Sequence, residues 1–156
     1  MNKSNVMRLL ESAGIDYEIL EYEVDESDLS GASVAKKTGR DKDSVFKTLV
    51  ITGDKNGFGV CCIPVCDELD LKKAAKHFGD KKAEMLHVKD LLPVTGYIRG
   101  GCSPVGMKKQ FPTVIDETAT LFDKIFVSGG RRGLMLGLNP ASLAEFISAD
   151  FADITV

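Results

Sequence analysis

The sequence predicts an α+β fold, because helical stretches and short strands alternate without the regular strand–helix–strand rhythm of a parallel sheet. Three observations carry that reading. "DYEILEYEV" (residues 16–24) alternates polar and apolar side chains. "SVFKTLVITG" and "FGVCCIPV" are β-rich runs joined by "GDKNG", whose Asn56-Gly57 is a hairpin signal, and "DLKKAAKHF" (70–78) sets Leu71, Ala74, Ala75 and Phe78 at helical spacing. At 156 residues the chain is long enough to bury about two-thirds of its unfolded surface around one core. No linker or low-complexity stretch divides it, so a single domain over residues 1–156 is expected.

The elements follow in order. "SNVMRLLESAGI" predicts a helix with Ser4 as N-cap, Val6, Leu9, Leu10 and Ala13 on its apolar face and Gly14 as its stop. The strand over 16–24 places Tyr22 on the face of Leu20 and Val24. A short helix in "GASVAKKTG" ends at Gly39, and the hairpin of two strands comes next. Asp70 caps the helix that Gly79 terminates. "AEML" predicts a short strand and "VKDLLP" one helical turn, followed by strands at Tyr97–Ile98, Thr113–Ile115 and Lys124–Val127. "SGGRRG" is a tight turn into "LMLGL", and in "NPASLAEFI" Asn139 caps a last helix with Pro140 at its first position.

Composition narrows the function. The formal net charge is −3, so the whole surface is no general polyanion binder; cation is concentrated in Leu71–Lys82, Met107–Gln110 and Gly129–Gly133. No basic, acid-poor leader and no apolar run of bilayer length is evident, so a cytoplasmic protein without membrane contact is expected. Cys61 and Cys62 are adjacent in a strand and point to opposite faces, and no C-x-x-C pair occurs, so buried thiols are expected rather than a metal site. His77 and His87 have no nucleophile beside them in sequence. P-loop, dinucleotide-binding and paired-carboxylate patterns are absent, which argues against nucleotide hydrolysis and dehydrogenase chemistry.

Two features remain as candidate sites. Period-2 alternation puts Lys47 on one strand face with Val45, Leu49 and Ile51, so its ammonium either snorkels to water over apolar surface or stands in a cleft facing an anionic ligand. In "GYIRGGCSPVG" (96–106) consecutive glycines either serve a turn or bring backbone amides close to a ligand as an anion-binding nest, and the same choice holds for Ser128-Gly129-Gly130.

"VFKTLV", "PVCDELDLKKAAKHFG", "GYIRGGCSPVGMKK", "PTVIDE" and "IFVSGGRRGL" occur in an order and spacing that resembles the YbaK/EbsC family. That family comprises free-standing relatives of the editing domain inserted in bacterial prolyl-tRNA synthetases. The resemblance spans nearly the whole chain and is strongest to the cysteinyl-tRNA(Pro) deacylases. It implies a six-stranded, mixed and mostly antiparallel β-barrel-like sheet wrapped by helices. It also implies that Lys47 is the essential catalytic lysine, resolving the choice above in favour of a cleft. Thr48 completes the family's lysine-threonine pair, and Gly100, Gly101, Ser103 and Pro104 fall in a loop whose backbone faces the aminoacyl carbonyl and terminal ribose. Ser128 matches a strand-end serine and Tyr22 a pocket tyrosine, while Met135 departs from the acidic residue of some members. The implied substrate is the 3′ end of aminoacylated tRNA, with transient association with prolyl-tRNA synthetase and no cofactor. Substrate-thiol attack is the implied chemistry for cysteine; removal of alanine or serine by water, or a non-catalytic nucleotide- or synthetase-binding module, are the alternatives.

Overall fold

The computed structural model of the chain describes residues 2–156. Helix α1 (Asn5–Ser12) starts where the Ser4 hydroxyl accepts from the Met7 amide, and it buries Val6, Met7 and Leu10. Strand β1 (Glu18–Glu21) and helix α2 (Gly31–Thr38) follow, then the hairpin of β2 (Phe46–Gly53) and β3 (Gly57–Pro64). Helix α3 (Leu71–Phe78) is capped by the Asp70 carboxylate, which accepts from Lys72 and Lys73, and it ends at left-handed Gly79. Next come β4 (Ala83–Met85), α4 (Val88–Thr95), β5 (Thr113–Asp116), β6 (Ile125–Ser128), β7 (Leu134–Leu138), α5 (Pro140–Ile147) and β8 (Asp150–Ala152).

The strands form two sheets, ordered β4-β2-β3-β5-β8 and β1-β7-β6. Among the described strands β3–β5 and β5–β8 are the parallel ladders, and the rest are antiparallel. This corrects the barrel expected from the resemblance. β4 pairs with β2 only at Ile51–Gly53, and β6 meets the other sheet through a single parallel bridge, Val45 to Phe126, so the ring of strands does not close. Between those two contacts one edge of β2 stays open. The main core fills the space between the sheets with Phe46 and Val50 of β2, Ile125 and Val127 of β6, Leu134 and Leu136 of β7, and the apolar faces of α1 and α5.

Two local expectations also change, and one strand is new. "VKDLLP" belongs to a two-turn helix that runs through Pro93 and closes where Gly96, at φ +87°, donates to the Leu92 carbonyl. Tyr97–Ile98 is loop: the Tyr97 amide donates to the Thr95 hydroxyl and its own hydroxyl to the Val105 carbonyl, so the segment is tied to itself instead of to a ladder. β8 was not anticipated, since three residues are too few to show a period. Among the described residues no helix is long and apolar enough to cross a membrane.

Candidate active site

A cavity of about 610 Å³ opens where the two sheets separate. One wall is β2 and the residue before it, with Val45 and Phe46 through Val50 all contributing. Ser128 and Met135 enter from the smaller sheet and Tyr22 from just beyond β1, Leu29 and Val34 from around α2, Met85, Val88 and Leu91 from β4 and α4, and Arg99, Gly100 and Cys102 from the glycine loop. The fold therefore gathers Tyr22, Lys47, Thr48, Gly100 and Ser128 around one space, from four separate stretches of sequence.

The half-buried Lys47 stands in this wall, and the ion pairs among the described residues all lie elsewhere on the molecule. Thr48 reaches the cavity from the opposite strand face, its hydroxyl 3.7 Å from the Cys62 sulfur. Ser128 is largely buried, and its Oγ accepts from the Gly130 amide at 3.2 Å, which fixes the turn between β6 and β7. Met135 lies opposite Ser128 in the β6–β7 register and opposite Leu20 in β1, forming an apolar floor.

The glycine loop divides. Gly100 sits at φ +87° on the rim, under the Arg132 side chain, whose Nε donates to the Arg99 carbonyl at 2.8 Å. A side chain at Gly100 would meet that arginine and require a strained backbone. Gly101, Ser103 and Pro104 lie behind the rim, buried, and do not line the cavity. The Gly101 amide already donates to the Ile98 carbonyl at 2.9 Å, and the Ser103 hydroxyl accepts from Val105.

Lys47 and Arg99 are the cations of the lining, which contains no Asp, Glu or His. Burial raises the Cys102 thiol to about 12, and burial likewise raises Cys62 to about 12 despite its contact with Thr48. Both thiols are therefore protonated at neutral pH and are poor nucleophiles. Among the described residues no three His, Cys, Asp or Glu side chains converge as metal ligands. Arg99 is a lining residue that reading the sequence for glycines passed over, although it stands directly before Gly100. Leu29, Val34, Met85 and Val88 carry no local signal, because only long-range packing brings them here.

A family model described as an aminoacyl-tRNA editing domain matches residues 28–146, a span holding most of this cavity. The chain belongs to that family. The editing domain is 50% identical over 153 residues to an Enterococcus faecalis (strain ATCC 700802 / V583) protein, EbsC, provisionally named a Cys-tRNA(Pro)/Cys-tRNA(Cys) deacylase, with 98% of this chain and 93% of that protein covered. Its fold is also that of a solved structure described as a provisional trans-editing enzyme for prolyl tRNA synthetase, with TM-score 0.84, 24% identity and coverage of 99% of both chains. A second solved structure, hypothetical protein APE2540, superposes with TM-score 0.88 at 22% identity over 98% of this chain and all of that one.

Proposed function

We propose that this editing domain is an aminoacyl-tRNA deacylase that acts in trans to remove cysteine from mischarged Cys-tRNA(Pro). Its likeness to EbsC supports the substrate class. The observation that carries the chemistry is a cavity with Lys47 in its wall and no Asp, Glu or His around it. Such a wall has cation to orient an ester and polarise its carbonyl, but no side chain suited to drawing a proton from water.

The substrate then supplies the nucleophile. The cysteinyl sulfur attacks its own carbonyl carbon, a C–S bond forms, the C–O bond to the ribose breaks, and the thiol proton ends on the departing ribose oxygen. The products are a thiolactone and uncharged tRNA, and no water is consumed. The reaction is intramolecular from the outset, so the cavity's part is to hold the sulfur against the carbonyl in an attack geometry with Lys47 beside the developing charge. Recognition of the tRNA body falls to prolyl-tRNA synthetase, because the chain is net acidic and has few clustered cations to meet phosphates.

The test is a panel of tRNAs charged with cysteine, alanine, serine and proline, incubated with the protein while ester loss is followed. Rapid loss confined to cysteinyl esters, unaffected by chelators, supports the proposal. Preferential loss of alanyl or seryl esters supports the water route, and stability of every ester supports a binding module.

A further inference from the structure

Val45, just ahead of β2, and Phe46 through Val50 within it line the cavity without a gap. A strand met face-on contributes alternate residues only, since successive side chains point to opposite faces. An unbroken run is what a cavity that meets the strand along its edge, where the backbone itself is presented, would give, and the register of β2 tests it.

Two hydrogen bonds fix which groups point there. The Val65 amide donates to the Val45 carbonyl on the β3 side, and the Leu86 amide donates to the Val50 carbonyl on the other side, both at 2.9 Å. In an antiparallel pair alternate residues exchange both bonds with the partner, and the residues between them direct theirs away. Lys47 and Leu49, opposite Ile63 and Cys61, therefore bond to β3, whereas Thr48 turns its N–H and its C=O outward. β4 reaches only as far as Ile51, and β6 only Val45, so no described strand pairs with Thr48 there. Backbone polar groups left unpaired away from water are unfavourable, and an open edge is a template for another segment of backbone.

An aminoacyl ester carries such a segment: one amino group and one carbonyl on either side of one Cα. On the deacylase reading above, we infer that the Thr48 backbone binds the aminoacyl group as a single residue of added strand. Its N–H donates to the ester carbonyl oxygen, and its C=O accepts from the α-amino group. This assigns a partner to the α-amino group in a wall that has no carboxylate. It also places a fixed donor on the oxygen that gains charge as the C–S bond forms and the C–O bond breaks. The Gly101 amide cannot fill that role while it bonds to Ile98.

The N–H can be removed without altering any side chain by replacing Thr48 with its α-hydroxy acid, which turns one amide into an ester. The expected result is a fall in kcat for cysteinyl-tRNA of about 10²- to 10³-fold, the size seen when one oxyanion donor is lost. The same replacement at Ile51, whose amide belongs to the β3 ladder, should lower Tm and spare the rate. In a second arm, ¹⁵N-labelled wild-type protein is titrated with a non-cleavable 3′-cysteinylamido-3′-deoxyadenosine. The Thr48 amide resonance should move downfield and exchange more slowly, with Lys47 and Leu49 amides little changed. Cysteinyl-tRNA cleavage by wild type together with an undiminished rate in the Thr48 variant, or ligand binding that leaves the Thr48 amide unmoved, would overturn the inference and leave the deacylase reading standing. Failure of wild type to cleave cysteinyl-tRNA would overturn both.

Discussion

Lys47 shares its strand face with Val45, Leu49 and Ile51, two of which are fully buried, yet its own side chain opens into the cavity. Replacing it by alanine removes the cation and leaves the β2–β3 ladder untouched. Lys47→Ala should therefore reduce deacylation by at least about 10²-fold, in line with loss of an electrostatic contact to the reacting group, with an unchanged far-UV spectrum. Lys47→Arg should also be poor, since a planar fork does not fit where a compact ammonium sits. The cysteines separate by exposure: Cys66 is exposed and Cys61, Cys62 and Cys102 are buried. Mass spectrometry after brief alkylation at neutral pH should find label on Cys66 alone. A charge in an apolar run made Lys47 conspicuous in sequence, but the run alone left open whether its ammonium snorkels to water or stands in a cleft. Ser103 and Pro104 share a motif with Gly100, but which members of a loop face a ligand depends on a turn that sequence does not specify. Here the Gly101 amide turns back to the Ile98 carbonyl, and Ser103 and Pro104 are buried behind the rim.

Among elements, helices were the most readable, because caps and periodicity agree: Ser4, Asp70 and Asn139 each accept from the first turn of the helix they precede. Strand existence was legible as well, but not strand closure. Whether β2 pairs along its whole length depends on where β4 and β6 end, and the resulting gap is where the cavity opens. The β2–β3 hairpin gives a sharp test of packing. The Asp80 carboxylate accepts from the Lys55 and Asn56 amides and occupies the place a Cβ on Gly53 would take. Gly53→Ala should expel the carboxylate and destabilise the protein by about 2 kcal/mol, the cost of leaving such hydrogen bonds unmade. Denaturant unfolding that shows the variant as stable as wild type would contradict this account of the turn.

Across the whole molecule, the buried thiols tie stability to pH. Burial raises Cys62 and Cys102 from the ordinary 9.0 to about 12, and it raises Cys61 as well. Below the unfolded value all three are protonated in both states and their contribution is complete. As pH rises above about 9 the unfolded chain releases protons that the folded chain keeps, so stability falls by up to ~1.4 kcal/mol per pH unit for each thiol until the folded values are reached. Urea melts between pH 8 and 10.5 should show this decline, and Cys61→Ala should make it shallower by about a third, leaving the share of Cys62 and Cys102. The proposed function divides the labour at this scale, with the cavity assigned the aminoacyl ester and the synthetase the tRNA. The claim at its centre is that the substrate's sulfur is the nucleophile. The direct measurement is the rate of ester loss from cysteinyl-tRNA(Pro) against its S-methylcysteinyl analogue under identical conditions, with the small-molecule product identified. The account predicts cleavage of the first with release of a thiolactone, and persistence of the second; comparable rates for both, with free amino acid as the first product, would contradict it.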